Sequence, residues 1–348
     1  MSLQEAARST NRYRRTVRFV SLLVLSLAAV LAIFVAGSRW PFAEAAAPES
    51  LRLALSSTPH AALLHLAAAK GYFDEERLDV TVVPVTHGKA ALDLLAQGKV
   101  DLAAAAEVPF VVSVLQGEPI SIAASMLGVS NEMAIVGRRD RGIAIPADLA
   151  GKKVGVTRGT SGEYFLWAFL IRHQLPIDGV TVVDVPPGRM ASELARGTVD
   201  AVSAWQPIRL DSELALGEQA VSFTAPAAYT VTHVVVGRND FFKQHPGAAR
   251  KLVRALLKAE RFNRAEPEQA VAVVAPRLKL DAQALRPGWD DLGFRVNLLQ
   301  SQLVTLEDQA RWAMARGYAP QKEVPNFLSH LYLDALLNEQ PDRVTVVH

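Results

Sequence analysis

The stretch AALDLLAQGKVDLAAA, residues 90–105, recurs in altered form as MASELARGTVDAVSAW, residues 190–205. Each copy has the pattern of a short amphipathic helix, a glycine where the helix would end, and a hydrophobic strand that opens with Val-Asp. A helix that leads through a tight turn into a strand is a building block of α/β sheets. The repeat therefore predicts two similarly built α/β halves.

Short β-rich runs alternate with helical stretches around both copies. In the first half we predict strands at 51–56, 79–85, 100–106, 120–126 and 133–138, and helices at 60–73 and 89–99. In the second half we predict strands at 153–157, 180–186 and 199–205, a long helix after the first of them, and a short helix at 190–197. This alternation is typical of a mostly parallel sheet flanked by helices.

The C-terminal part is predicted to return to the first half. VTHVVVGR, residues 231–238, has the pattern of a strand, the chain after Pro246 is mainly helical to about Asn338, and a short β run, VTVV, follows at 344–347. With 348 residues, half of them hydrophobic, the chain can form two cores. The predicted segments are a discontinuous first lobe at 46–137 and 233–348, a second lobe at 138–232, and crossings near 137–145 and 229–237.

The N-terminal 45 residues have the pattern of an export signal. Five Arg between residues 8 and 18 precede an uncharged apolar run from Phe19 to Gly37, and Ala43-Glu44-Ala45 fits the small-x-small pattern of signal peptidase sites. We predict cleavage after Ala45. An uncleaved anchor in the inner membrane is the alternative, because the apolar run is long enough to span a bilayer. Either way, the basic N-terminus predicts that the rest of the chain is periplasmic.

Composition excludes several classes of function. The chain contains no cysteine, which removes disulfides, thiolate chemistry and thiolate metal sites. The formal charge of +2 arises from the leader, which carries six Arg and two Glu, so no basic surface for nucleic acid is expected. The eight His have no spacing typical of metal sites, and no G-x-S-x-G turn is present. We therefore predict no metal, no cofactor and no enzymatic activity.

Several segments together resemble a known family. They are GYFDEERLDVTVVPV (71–85), ALDLLAQGKVDLAAAAEVP (91–109), IPADLAGKKVGVTRGTSGEYFL (145–166), ELARGTVDAVSAWQP (193–207) and GRNDFFKQHPGAARKLVRALLKA (237–259). Over about residues 50–260 the chain resembles the solute-binding proteins of nitrate, sulfonate, taurine and pyrimidine-precursor ABC importers.

The resemblance implies the type II periplasmic-binding-protein fold, in which two hinged lobes close on a ligand in the cleft between them. It also implies the partners: a small anionic or zwitterionic solute, and a membrane permease with its cytoplasmic ATPase. We expect a monomer. A sensor protein of the same fold and a binding protein for thiamine-pyrimidine precursors remain as alternatives. The related thiamine-pyrimidine synthases depend on a cysteine-rich motif, which this chain lacks.

One candidate ligand site is the turn that begins the long helix of the second half. Arg158, Gly159, Thr160 and Ser161 stand between a predicted strand and that helix. The first N–H groups of a helix have no intrahelical partner and favour anions, while glycine permits close approach and the hydroxyls can donate. The alternative interpretation is a capping box formed by Thr160 and Glu163.

The corresponding turns of the first half carry similar residues. Ser57, Thr58 and His60 follow the first predicted strand, and a second turn carries polar residues after the next strand. A simple helix cap beginning at Thr58-Pro59 is the alternative. The second candidate turn comprises Thr86, His87 and Gly88.

Two larger side chains complete the candidate site. Glu107 follows a predicted strand at the sheet edge where α/β proteins present ligands, and it could accept from a ligand ammonium group. A solvated loop carboxylate is the alternative. Trp205 occupies the matching position of the second half and could stack on the ligand, or it could be a core residue.

Overall fold

In a computed structural model, which describes residues 47–226, 228–320 and 323–347, strands and helices alternate along the chain. The strands are β1 Glu49–Ser56, β2 Leu78–Val85, β3 Leu102–Ala106, β4 Ile120–Val129, β5 Ala134–Arg138, β6 Lys153–Val156, β7 Thr181–Asp184, β8 Ala201–Ala204, β9 Ala220–Thr224, β10 Val231–Arg238 and β11 Gly293–Asn297. The α-helices are α1 Ala62–Ala69, α2 Tyr72–Glu75, α3 Gly88–Ala96, α4 Glu107–Leu115, α5 Ser161–Arg172, α6 Met190–Arg196, α7 Ile208–Leu216, α8 Asn239–Gln244, α9 Pro246–Ala265, α10 Pro267–Leu278, α11 Ala282–Leu285, α12 Gln300–Ala315 and α13 Asp334–Glu339. The predicted export signal lies outside the described residues.

The strands form two mixed sheets flanked by helices, which confirms the α/β fold. The first has the order β11-β4-β10-β3-β1-β2 and the second β7-β6-β8-β5-β9. Strand β1 is parallel to β2 and β3, and β6 is parallel to β7 and β8, whereas β10 and β5 run antiparallel to their neighbours. The expectation of mostly parallel sheets is therefore corrected to mixed sheets.

The internal repeat forms the same structure twice. The glycines that end helices α3 and α6 as predicted, Gly98 and Gly197, both adopt the left-handed conformation, with φ of 66° and 76°. The aspartate of each Val-Asp pair then accepts a hydrogen bond from the backbone of the neighbouring parallel strand. Asp101 accepts from the Arg52 N–H at 2.7 Å, and Asp200 accepts from the Lys153 N–H at 2.9 Å. The aspartates thereby fix the pairing of β3 with β1 and of β8 with β6.

The first change of sheet occurs earlier than the predicted boundary. Strand β5 pairs with β8 and β9 in the second sheet, so residues 134–137, which we assigned to the first lobe, belong with the second sheet. The chain therefore crosses at residues 130–133 instead of 137–145. The hydrophobic pattern of MAIVGR is compatible with a strand in either sheet, so it does not show which sheet the strand joins. Strand β10 returns to the first sheet after a second crossing at 225–230.

The tail differs from the prediction in two places. VTVV forms no strand, and Val344 makes only an isolated bridge to Leu298. An edge strand that we did not predict, β11, pairs with β4. Its sequence GFRVN alternates apolar and polar residues, but the pattern is short and only Phe294 and Val296 are apolar side chains in it. Sequence analysis also missed helix α4, whose Val- and Phe-rich sequence favours a strand.

Helices cover the first sheet and position the elements that reach the cleft. The amphipathic helix α9 packs against α1 and α13, and α12 packs against α4. Among the described residues, no helix combines the length and the apolar character needed to cross a membrane.

We expect Asp200→Ala to lower the free energy of unfolding by about 1–3 kcal/mol, because the Lys153 N–H loses a charged acceptor. Urea unfolding followed by circular dichroism measures the change. Asp178→Ala, at an exposed position, is the control and should change the free energy by less than about 0.5 kcal/mol. Equal effects of the two substitutions would contradict the role given to Asp200.

Candidate functional site

A cleft lies between the two sheets. Its walls come from the turns that follow β1, β2 and β6 and from the ends of β3 and β8. Of the predicted ligand residues, seven line this cleft: Thr58, His60, His87, Gly88, Thr160, Ser161 and Trp205. The turns of the two halves thus meet at one place.

The start of helix α5 forms one wall of the cleft. Thr160 is the residue before the helix, but its Oγ1 donates to the Thr157 carbonyl at 2.6 Å and does not cap the helix. The Glu163 carboxylate accepts instead from the Gly159 N–H at 2.8 Å. The predicted Thr160–Glu163 capping box therefore does not form. The N–H groups of Ser161 and Gly162, the first two of the helix, remain without intrahelical partners.

The Ser161 hydroxyl is buried at this helix start and makes no hydrogen bond of ordinary geometry to a described residue, although it lies beside the Tyr229 phenol oxygen as a possible acceptor. Ser161 is only 6 % exposed and lines the cleft. The neighbouring Tyr229 phenol donates its own proton to Glu107. A buried hydroxyl without a partner is costly, so this group is suited to donate to a molecule in the cleft.

The start of helix α3 forms the opposite wall. Gly88 is the first residue of this helix, and a Cβ on it would lie 2.7 Å from the Cα of Ala105 on β3. Only glycine therefore lets the helix begin so close to the strand. Lys89 also lines the cleft, and its ammonium lies 3.3 Å from Asp93. Burial lowers the pKa of His87, which favours its neutral form.

Between these two helix starts lies a cluster that sequence analysis missed. His60 Nε2 hydrogen-bonds Glu132 Oε2, and the His60 ring stacks on His233 with centroids 4.3 Å apart and planes 3° from parallel. Burial lowers the pKa of His233 well below its usual value, and the neighbouring His60 lowers it further. Glu132 lies on the first crossing and His233 on β10, so only the folded chain brings them to His60.

Four of the remaining predicted residues lie outside the lining of the cleft. Ser57, Thr86 and Arg158 are exposed. Gly159 is buried, with φ of 70°, but its N–H is taken by Glu163. The turns were identified from sequence, but the direction of each side chain within a turn depends on local dihedral angles that composition does not reveal.

Glu107 was expected to face a ligand, and the structure places it elsewhere. It begins helix α4, is fully buried, and does not line the cleft. Its Oε1 accepts from the Tyr229 hydroxyl at 2.5 Å and from Gln309 Nε2 at 2.9 Å, and its Oε2 accepts from the Thr232 N–H at 2.8 Å. Glu107 thus fixes the second crossing against helices α4 and α12. Burial raises the pKa of Glu107 to about 7, although these hydrogen bonds oppose the rise.

Further side chains join the two sheets beside the cleft. The Tyr318 hydroxyl donates to Glu163 Oε2, which links the residues after α12 to helix α5. Next to this bond, Tyr164 of α5 makes an edge-to-face contact with Trp312 of α12, with centroids 5.3 Å apart. The second lobe therefore contacts helix α12 of the first lobe and the residues that follow it.

The matched residues decide the family. The model of the NMT1/THI5-like family matches residues 58–270, more than half of the chain. The chain belongs to this family. The match includes both copies of the internal repeat and both crossings. It covers the residues that line the cleft except Ser56, at the end of β1.

Relatives in this family and its structural neighbours include both binding proteins and enzymes. A Bacillus subtilis protein named for aliphatic-sulfonate binding is 23 % identical over 64 % of this chain and 68 % of its own length. A Saccharomyces cerevisiae 4-amino-5-hydroxymethyl-2-methylpyrimidine phosphate synthase is 25 % identical over 61 % and 66 %. The periplasmic aliphatic sulphonate binding protein of Escherichia coli superposes with a TM-score of 0.69 at 17 % identity, covering 82 % of this chain and 98 % of its own. The last comparison confirms the periplasmic-binding-protein fold.

We expect the stability that Glu107 contributes to depend on pH. Because its folded-state pKa is raised, its contribution is complete below about pH 4.5 and is lost as the pH rises towards about 7. The glutamine in Glu107→Gln cannot ionise. The free energy of unfolding of this variant should therefore fall less than that of the parent as the pH rises through this range. Urea unfolding at about pH 5 and pH 7 tests the difference.

The control for this measurement is Glu218→Gln at an exposed position, which should keep the pH dependence of the parent. A Glu107→Gln variant with an unchanged pH dependence would show that the buried carboxyl keeps an ordinary pKa.

Proposed function

We propose that this protein is the periplasmic solute-binding subunit of an ABC importer, and that it captures a small sulfonate or a similar anionic or zwitterionic solute. The observation that carries the proposal is the meeting of two helix N-termini, those of α3 and α5, at one cleft between the sheets. The peptide dipoles of each helix are aligned along its axis and give its N-terminus a partial positive charge. Both helix starts therefore favour an anion.

A sulfonate suits this arrangement because its three oxygens can accept from several directions at once. The N–H groups at Gly88 and Lys89 would donate from the first sheet, and those at Ser161 and Gly162 from the second. The Ser161 hydroxyl adds a further donor. An anion held from both sides joins the two helix starts and thereby favours the closed form. Closure would then present the shape that a membrane permease recognises.

The cleft also offers groups for the rest of the solute. Trp205 lines it from the end of β8, and its ring is suited to cover an aliphatic or flat portion. Glu132 supplies a carboxylate from the first crossing, two residues before Ala134, which pairs with Ala204 at the end of β8. We no longer assign Glu107 to the solute, since its oxygens are occupied by protein donors.

The comparisons support binding and transport over synthesis. Relatives and neighbours named for sulfonate binding are similar to this chain over most of its described length. The chain has no cysteine and therefore lacks the cysteine-rich motif of the pyrimidine synthases. Periplasmic location and a permease with its ATPase as partners follow from the same proposal.

We expect alkanesulfonates, including taurine, to stabilise the full-length protein against heat. A ligand present at 100 times its dissociation constant adds about 2.7 kcal/mol to the free energy of unfolding. A thermal-shift series with taurine, other alkanesulfonates, nitrate and hydroxymethyl-pyrimidines measures this effect. Stabilisation by the pyrimidines alone would contradict the sulfonate assignment and favour the precursor-binding alternative.

Ser161→Ala should weaken sulfonate binding about threefold to tenfold, because one hydroxyl donor is lost. Ser57→Ala is the matched control, since Ser57 is exposed and lies outside the lining of the cleft. Isothermal titration with the best ligand of the thermal-shift series gives both dissociation constants. Unchanged affinity in Ser161→Ala would remove this hydroxyl from the site.

A further inference from the structure

Three side chains from distant parts of the chain converge beside the cleft. His60 follows β1, Glu132 lies on the first crossing and His233 lies on β10. One nitrogen of each histidine and one carboxylate oxygen all lie within 4.8 Å of one another. His60 and Glu132 are buried, at 4 % and 5 % exposure, and His233 is partly buried.

The described residues only partly satisfy this cluster. The carboxylate of Glu132 hydrogen-bonds His60, whereas the nitrogens of His233 make no hydrogen bond to a described residue. Its ring is held by stacking on His60. A buried carboxylate beside a nitrogen that has no partner offers both negative charge and a free lone pair to a cation.

We propose that His60, Glu132 and His233 bind a divalent transition-metal ion of the zinc class. Two imidazoles and one glutamate are a donor set that zinc accepts when a fourth position is left open. His60 follows β1 and His233 lies on β10, and both strands belong to the first sheet. Glu132 lies on the crossing that joins the first sheet to the second. The metal would therefore tie the first crossing to the first sheet.

The present spacing is close to what a metal requires. Donor atoms around a tetrahedral zinc ion lie about 3.3 Å apart, given metal–ligand distances of about 2.0 Å. The donor atoms of the cluster lie within 4.8 Å of one another, so the side chains must rearrange to reach that value. A metal lies in the plane of each imidazole that binds it, so one of the two stacked rings must rotate, and Glu132 must turn from His60 towards the ion.

The open position of the metal faces the solute cleft. His60, Glu132 and His233 all line this cleft, and His60 and Glu132 also border a second cavity that His233 does not line. The shared face of all three donors is therefore the cleft. Provided that the proposed function holds, an oxygen or nitrogen of the solute would complete the coordination, and the metal would strengthen solute binding.

Cobalt(II) tests the site directly, because its visible absorption reports coordination by protein donors. We expect the full-length protein, freed of metal by chelation, to bind one cobalt ion, with the absorption of a four- or five-coordinate complex, and zinc to displace it. His233→Ala and Glu132→Gln should each weaken metal binding more than tenfold. His87→Ala is the matched control, because His87 lines the same cleft outside the cluster and should leave metal affinity unchanged.

Circular dichroism of each metal-free variant verifies that the fold is retained. No cobalt spectrum in the parent protein, or equal affinity in the parent and in both cluster variants, would overturn the metal site.

Solute titrations with and without chelator separate the metal site from the proposed function. Sulfonate binding that persists without metal, together with an absent cobalt spectrum, would reject the metal and leave the function intact. If Glu132→Gln then lowers affinity for taurine but not for ethanesulfonate, the cluster is an ammonium subsite and not a metal site. A cobalt spectrum without any binding of sulfonate would retain the metal and reject the proposed solute.

Discussion

Each sheet is completed by a strand that the chain supplies only after crossing from the other sheet. Strand β5 enters the second sheet directly after β4 of the first, and β10 enters the first sheet directly after β9 of the second. In each sheet this strand runs antiparallel beside the parallel strand of the internal repeat, β8 or β3. The carboxyl ends of the parallel strands therefore face the region between the sheets, and their turns converge there.

The second crossing depends on one buried carboxyl group. Glu107 accepts from Tyr229 on the crossing segment, from Thr232 at the start of β10 and from Gln309 on helix α12. Burying a carboxyl without such donors would cost several kcal/mol. Tyr229 also contacts Tyr164 of α5 edge to face, with centroids 4.9 Å apart. Through these contacts the position of Glu107 influences the start of α5 and, with it, one wall of the cleft.

Local patterns predicted the elements, and long-range contacts determined the site. The repeat predicted both helix-glycine-strand units, because a helix, its terminal glycine and the following strand are all encoded within sixteen residues. It could not assign MAIVGR to a sheet, since that choice depends on pairing with β8 and β9. Sequence analysis assigned Glu107 to the ligand, with a loop carboxylate as the alternative, because its protein partners lie 122 to 202 residues away. The contact between His60 and Glu132, which are 72 residues apart, likewise has no signal in the local sequence.

The central claim is that one anion joins two helix starts from opposite sheets. A crystal structure of the protein with an alkanesulfonate tests it most directly. We predict sulfonate oxygens within hydrogen-bonding distance of backbone N–H groups at both Gly88–Lys89 and Ser161–Gly162, with Ser161 Oγ as a further donor. A sulfonate that contacts only one of the two helix starts, or that lies outside the cleft, would contradict the account.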